Sequence, residues 1–179
     1  MIMRSNEFIT YKGKKSYIEE SKTYVPPLIE KRLVIDDANL ESIEYIERLE
    51  SLTELDSLLI SSNRIRGISG LNSLKSLNKL GISAMEEIVK SEITEIKGLE
   101  NQKKLWELNL RDNQITKLGG LSKLESLQEL DLTSNYLEDV SWFISQRELP
   151  KLHTVYVWFN KIPENQLEQL SRSYTISPE

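Results

Sequence analysis

Few side chains in this sequence have the types and spacing that catalysis or metal binding requires. His153 is the only histidine, and the 179 residues include no cysteine, so a metal site would lack most of its usual ligands. Serine and aspartate are plentiful, but no nucleophile turn or phosphate-binding glycine loop is present. The pair Asp36-Asp37 could hold a cation weakly, although adjacent turn acids are usually only solvated. We therefore predict a non-enzymatic protein without a metal or cofactor.

The residues best suited to recognition lie in the second half of the chain, where aromatic side chains follow charged ones. Tyrosine and tryptophan combine a large apolar surface with a polar tip and are frequent at interface hot spots. Carboxylates nearby favour a basic partner segment with an apolar anchor. The candidate partner-binding residues are Glu107, Asn109, Arg111, Glu129, Asp131, Tyr156, Trp158 and Phe159. Two alternatives remain: a C-terminal cap could cover the aromatic residues, and the carboxylates could form only a solvated face.

A repeated spacing of leucine and asparagine determines how these residues are positioned. The segment Leu105–Leu121 reads LWELNLRDNQITKLGGL, and its spacing returns around Asn135, 22 residues after Asn113. Six modules of the form L-x-x-L-x-L-x-x-N occupy about residues 31–162. The marker positions, asparagine in four of the modules, are Ala38, Asn63, Ser91, Asn113, Asn135 and Asn160.

This spacing predicts a solenoid. The last two leucines of each module are two residues apart, as on one face of a β-strand. A single module cannot bury that face alone, so successive modules stack and their strands pair in parallel. The marker asparagine satisfies backbone groups in the turn after each strand, because its amide both donates and accepts hydrogen bonds. The third module lacks this asparagine, so we expect its turn to be the least well held.

The same alternation assigns residues to the outer face of the sheet. The residue between the two inner leucines points away from the core, as do the residues two positions before and after it. In modules four to six this row includes Glu107, Asn109, Arg111, Glu129, Asp131, Tyr156 and Trp158. A second candidate contact surface is the insertion Met85–Lys90 in the third module, although a neutral surface loop is an equally simple interpretation.

The two ends of the chain lack the repeat and are predicted to cover the apolar ends of the array. Residues 1–30 contain a β-hairpin about Gly13 followed by an extended connector at Pro26-Pro27. A mobile arm that binds a partner is the alternative for this segment. Residues 163–179 contain a short helix, Glu164–Arg172, and then an extended segment. The predicted division is therefore a cap at 1–30, an array at 31–162 and a cap at 163–179.

Composition restricts the partners. The net charge is -5 and the pI is about 5.2, which disfavours direct contact with nucleic acid or an anionic membrane. No apolar run approaches the roughly 20 residues that span a bilayer, and the first residues do not resemble a signal peptide. These observations predict a soluble, cytoplasmic protein, and we expect a monomer.

The repeat resembles the leucine-rich repeat pattern. The sequences NRIRGISGL, SEITEIKGL and NQITKLGGL are similar to the short 22-residue subclass, found in regulators of protein phosphatase 1 and in small archaeal arrays. The resemblance implies an α/β solenoid: a right-handed superhelix with a parallel β-sheet on its concave face and short helical or 3-10 convex segments. It also implies a scaffold-like module that binds a partner protein on the concave face. Alternatives are a dedicated regulatory subunit of a phosphatase or small-GTPase system, or a protein-bound component of an RNA-processing complex.

Overall fold

The computed structural model describes residues 8–11, 14–22, 29–84, 91–145 and 149–176. Its eight strands lie side by side in chain order in one sheet. They are β1 Phe8–Tyr11, β2 Lys14–Lys22, β3 Ile29–Asp36, β4 Ser57–Ser61, β5 Lys79–Ser83, β6 Glu107–Asn109, β7 Glu129–Asp131 and β8 Thr154–Tyr156. The helical segments are two 3-10 turns, Ile43–Tyr45 and Leu49–Ser51, and the α-helices α1 Ser141–Ser145 and α2 Glu164–Ser171.

Six strands, β3 to β8, pair in parallel, which confirms the solenoid predicted from the repeat. The register aligns equivalent positions of every module, because each module presents its inner residues to the same continuous core. One such row, at most 1% exposed, consists of Leu33, Leu58, Leu80, Leu108, Leu130 and Val155. The residues between the inner positions face outward and form the concave surface.

The marker asparagines hold the turns as predicted. The Asn135 side-chain amide donates to the carbonyl oxygens of Leu110, in the preceding module, and of Leu132 and Thr133 in its own, at 2.9, 3.1 and 3.2 Å. Its oxygen accepts the Ile115 N–H at 2.9 Å. Each asparagine therefore connects its own turn to the previous module.

The marker asparagines thus form a series of hydrogen bonds from module to module, which we call the asparagine ladder. The third module interrupts this ladder. Ser91 takes the marker position and donates from its hydroxyl to the Asn63 carbonyl at 3.2 Å. The buried Asn113 side-chain oxygen, which should accept a hydrogen bond from module three, has no partner among the described residues. Among the described residues, the Ser91 side chain thus makes one hydrogen bond at the marker position, where Asn135 makes four. That the third turn is the least well held remains a prediction. The insertion Met85–Lys90 lies outside the described residues.

Both ends continue the sheet. At the N-terminal end β1 and β2 pair antiparallel, which confirms the hairpin, and β2 then pairs antiparallel with β3. The connector at Pro26-Pro27 lies outside the described residues. The hairpin and the array share one sheet, so the sheet itself shows no boundary between them. The predicted domain boundary at residue 30 therefore remains a prediction.

At the C-terminal end, α2 and the segment after it cover the last module. Leu170 of α2 is fully buried, and the ring of Tyr174 packs edge-on against Phe143 with centroids 6.1 Å apart. Thr175 then pairs with β8: its N–H donates to the His153 carbonyl at 2.8 Å, and its carbonyl accepts the Val155 N–H at 3.0 Å. The predicted helical cap is confirmed, since it covers both the core and the open strand of the final module.

Candidate partner-binding surface

The concave residues of β6, β7 and β8 lie in register. Glu107 aligns with Glu129, and Asp131 aligns with Tyr156 of the next strand. All four side chains are partly exposed. Parallel strands are about 4.8 Å apart, so the β7 carboxylates are direct neighbours of the aromatic strand. We call Glu129, Asp131, Tyr156 and Trp158 the acidic–aromatic strip.

Two predicted site residues also stabilise the backbone. The Asn109 side-chain oxygen accepts the Arg111 N–H at 3.0 Å, and the Asp131 Oδ1 accepts the Thr133 N–H at 2.8 Å. The same arrangement on adjacent strands holds each strand end in a fixed turn. Asn109 is therefore partly structural, whereas Asp131 retains its second oxygen and its charge for a ligand.

Ion pairs offset the charges of two further candidate residues, Glu107 and Arg111. Glu107 lies 3.1 Å from the Lys79 ammonium, which is also 4.7 Å from the centre of the Trp106 ring. Arg111 Nε lies 3.2 Å from the Asp112 carboxylate. Partly exposed pairs of this kind contribute little to stability, but they offset the charge that a partner would meet. The repeat pattern does not predict that Lys79 and Trp106 are neighbours of the site, because their contact crosses from one module to the next.

Phe159 has an unusual backbone conformation. The residue before the marker asparagine is left-handed in four modules, with φ of 51° at Ser62, 56° at Asp112, 55° at Ser134 and 55° at Phe159. This region costs an L-residue about 1–2 kcal/mol. Aspartate adopts it more readily than most residues, whereas a bulky residue there is an outlier. Phe159 is nevertheless 79% exposed, so no packing within the described chain offsets that cost.

The predicted alternative, in which the C-terminal segment covers the aromatic residues, does not describe Phe159. The tail contacts the core through Leu170 and Tyr174 and pairs with β8 through its backbone. Tyr156 and Trp158 are half-buried. Of the three aromatic residues Tyr156, Trp158 and Phe159, Phe159 is therefore exposed and the other two are partly accessible.

The N-terminal half of the concave face has different chemistry. Leu59 lies across Gly81, so closely that a Cβ on that glycine would be 2.8 Å from the leucine methyl group. Val34 occupies the equivalent position on β3 and is also partly exposed. This half is partly apolar and has no aromatic side chain in its outward row, so the aromatic surface of the concave face is concentrated in the C-terminal half.

Metal binding and membrane insertion find little support among the described residues. Within these residues no three His, Asp or Glu side chains are grouped closely enough to hold a metal ion. No helix in the same residues is long and apolar enough to cross a bilayer. Near α1, the Ser141 backbone N–H, followed by its hydroxyl, lowers the pKa of Asp139, and burial raises the pKa of Tyr174.

Comparison with known proteins supports the repeat assignment. Residues 103–145 match a model of leucine-rich repeats, described as two copies. No curated protein matches the chain significantly. Among solved structures, a leucine-rich repeat protein of Leptospira interrogans has a TM-score of 0.61 at 22% identity, over 78% of this chain and 34% of its own.

Two further structures have the same architecture. An internalin from Listeria monocytogenes has a TM-score of 0.51 at 24% identity, over 83% of this chain and 47% of its own. The leucine-rich repeat ectodomain of a receptor kinase from Arabidopsis thaliana has a TM-score of 0.52 at 19% identity, over 82% of this chain and 80% of its own. The chain thus spans half or less of the two bacterial proteins. With its repeats, its marker asparagines and its parallel sheet, the chain has the fold of a leucine-rich repeat solenoid.

Proposed function

We propose that this solenoid binds a partner protein on the C-terminal half of its concave face. Leucine-rich repeat proteins generally mediate protein–protein interaction, and no catalytic chemistry is part of this proposal. The observation that carries it is the register of the acidic–aromatic strip, in which Asp131 aligns with Tyr156 on the neighbouring strand. Burial of Tyr156 and Trp158 would supply affinity, while Glu129 and Asp131 would orient a basic segment.

Rigidity favours binding at this position. The strip lies on paired strands whose ends are held by Asn135 and Asn160. Little backbone conformational entropy is therefore lost when a partner binds these residues. Because Glu107 and Arg111 already have ion-pair partners, Glu129 and Asp131 carry the electrostatic part of the proposed site.

The test uses the tagged full chain, an extract of its source organism, and a Tyr156→Ser/Trp158→Ser double variant. Tyr45→Ser is the matched control, because Tyr45 is 60% exposed and lies far from the strip, in the first module. Circular dichroism establishes that each variant is folded. Wild type and control should retain a partner that the double variant loses, and the purified partner should bind Glu129→Lys more weakly. Equal binding by all variants would refute the site.

Narrower roles can be separated by stoichiometry. A dedicated regulatory subunit of a phosphatase or small-GTPase system predicts one partner at a 1:1 ratio, whereas a scaffold predicts several. A component of an RNA-processing complex predicts a protein partner whose retention survives nuclease treatment. The absence of direct nucleic-acid or membrane binding remains a prediction from the acidic composition. Cytoplasmic location and a monomeric state also remain predictions.

A further inference from the structure

Two exposed aromatic side chains lie outside the concave face, on the turns that follow its last two parallel strands. Among the described residues, four large hydrophobic side chains are strongly exposed: Tyr45, Tyr136, Ile144 and Phe159. Phe159 follows β8, and Tyr136, which is 45% exposed, follows β7. We call Tyr136 and Phe159 the aromatic rim.

The backbone holds Phe159 rigidly in its outward position. The carbonyl of Trp158, just before it, accepts the Ser134 N–H at 2.8 Å. The side-chain amide of Asn160, just after it, donates to the Leu132 carbonyl at 2.8 Å, and the Lys161 N–H donates to the Leu137 carbonyl at 2.8 Å. The aromatic ring is thus presented from a turn fixed on both sides, which lowers the entropy lost on binding.

The shape and charge of this region indicate what would cover it. A single projecting ring is buried best in a preformed apolar pocket, which a folded domain provides and a short flexible peptide does not. The carboxylates of this region are Glu129 and Asp131 on the strip, where Asp131 aligns with Tyr156, and Glu138 two residues after Tyr136. The cation Lys161 lies 3.8 Å from the Glu138 carboxylate and 5.6 Å from the centre of the Tyr136 ring, so its charge is partly offset.

We propose that the partner is a folded domain with an apolar pocket surrounded by basic residues, and that Phe159 inserts into this pocket while the domain contacts the acidic–aromatic strip. The inference rests on the proposed function and extends the interface from the concave face onto the aromatic rim. It explains why an aromatic residue occupies a left-handed position that is Ser or Asp in other modules. The acidic surroundings disfavour both an anionic membrane and a second copy of this acidic chain.

The experiment places the photo-crosslinker benzoylphenylalanine at position 159 of the full chain and, as a control, at position 45. Crosslinking in the native extract should give a protein adduct from position 159 and none from position 45. The protein so identified is then purified as a folded domain and titrated against Phe159→Ser, Tyr156→Ser and Tyr45→Ser. Phe159→Ser introduces the residue found at Ser62 and Ser134, which adopt the same left-handed conformation, so this variant should fold.

We expect Phe159→Ser to weaken binding of the folded domain at least about 30-fold, the loss typical of a hot spot, and Tyr45→Ser to change it less than about 2-fold. The affinity should also fall as salt is raised. If Phe159→Ser binds normally while Tyr156→Ser does not, the inference is wrong and the concave site stands. If neither variant weakens binding, both proposals fail. Absence of an adduct, an adduct with a second copy, or tight binding to phosphatidylserine vesicles would each overturn the inference.

Discussion

The side-chain oxygen of Asn63 accepts the backbone N–H of Leu40 at 2.8 Å, across 23 positions of the sequence. The same oxygen accepts the Ala38 N–H at 3.1 Å, and the amide of Asn63 donates to the Ile35 carbonyl at 3.0 Å. One buried side chain thus holds the turn of the module before it. This explains how the first module keeps its turn with alanine at its own marker position.

Asn135→Ala should destabilise the array. The substitution removes a side chain that makes four hydrogen bonds, and it leaves the buried Ile115 N–H and Leu110 carbonyl without that partner. We expect the free energy of unfolding to fall by about 3 kcal/mol, measured by urea denaturation. Asn165→Ala, at an exposed position on α2, is the control and should change it by less than about 0.5 kcal/mol. An equal effect at both positions would contradict the role of the ladder.

Gln102→Leu should stabilise the protein. Gln102 is 2% exposed at a position where other modules have Leu74 and Leu124, and its Oε1 has no partner among the described residues. Its amide donates to the Leu71 carbonyl at 2.7 Å, but that carbonyl also accepts the Leu74 N–H and remains satisfied in the variant. Calorimetry should show a higher melting temperature, equivalent to about 1–2 kcal/mol. Gln102→Ala, which leaves a cavity, should lower it.

Adjacent glycines provide a matched pair of substitutions. Gly120 has φ of +77°, and a Cβ there would be 2.1 Å from the Ile96 carbonyl oxygen, whereas a Cβ at Gly119 would meet nothing within 4 Å. Gly120→Ala should therefore destabilise the protein by at least about 2 kcal/mol, and Gly119→Ala should be close to neutral. Chemical denaturation of the two variants measures the difference. Similar values for both would show that the backbone at Gly120 can relax.

The start of α1 should depend on pH through Asp139. Its carboxylate accepts the Ser141 backbone N–H at 2.9 Å and the Ser141 hydroxyl at 2.8 Å, and these bonds lower its pKa from 3.8. A folded pKa below the unfolded one means that the stabilisation is present above 3.8 and is lost as pH falls through the folded value. At neutral pH the Asp139→Ala variant should have a lower urea midpoint than wild type. The difference should shrink in acid, and a constant difference at all pH values would exclude the carboxylate as its cause.

Much of the fold could be predicted because the repeat is local. Alternation by two residues separates the inner row, such as Leu108 and Leu110, from outward residues such as Asn109. The glycine at position 13 of the sequence and the proline at position 163 likewise predict the hairpin and the start of α2. Each of these signals depends only on neighbouring residues.

The contacts of the candidate site depend on stacking and could not be predicted so well. Lys79 pairs with Glu107 across a gap of 28 residues that includes the insertion. Gln102 was missed as a core residue because a polar side chain at a leucine position gives no local signal of burial. Tyr136 was missed because the residue after the marker asparagine varies among modules and has no preferred chemistry.

The sequence by itself determined the number of modules, the direction of each inner side chain and the face on which Tyr156 and Trp158 lie, because these follow from a regular period and the geometry of a strand. Only the tertiary structure decided which charges are already paired, how Thr175 pairs with β8, and that Phe159 projects from a rigid left-handed turn. Those features arise where modules contact one another. The residues in contact are far apart in the sequence, because each contact is set by the stacking of whole modules.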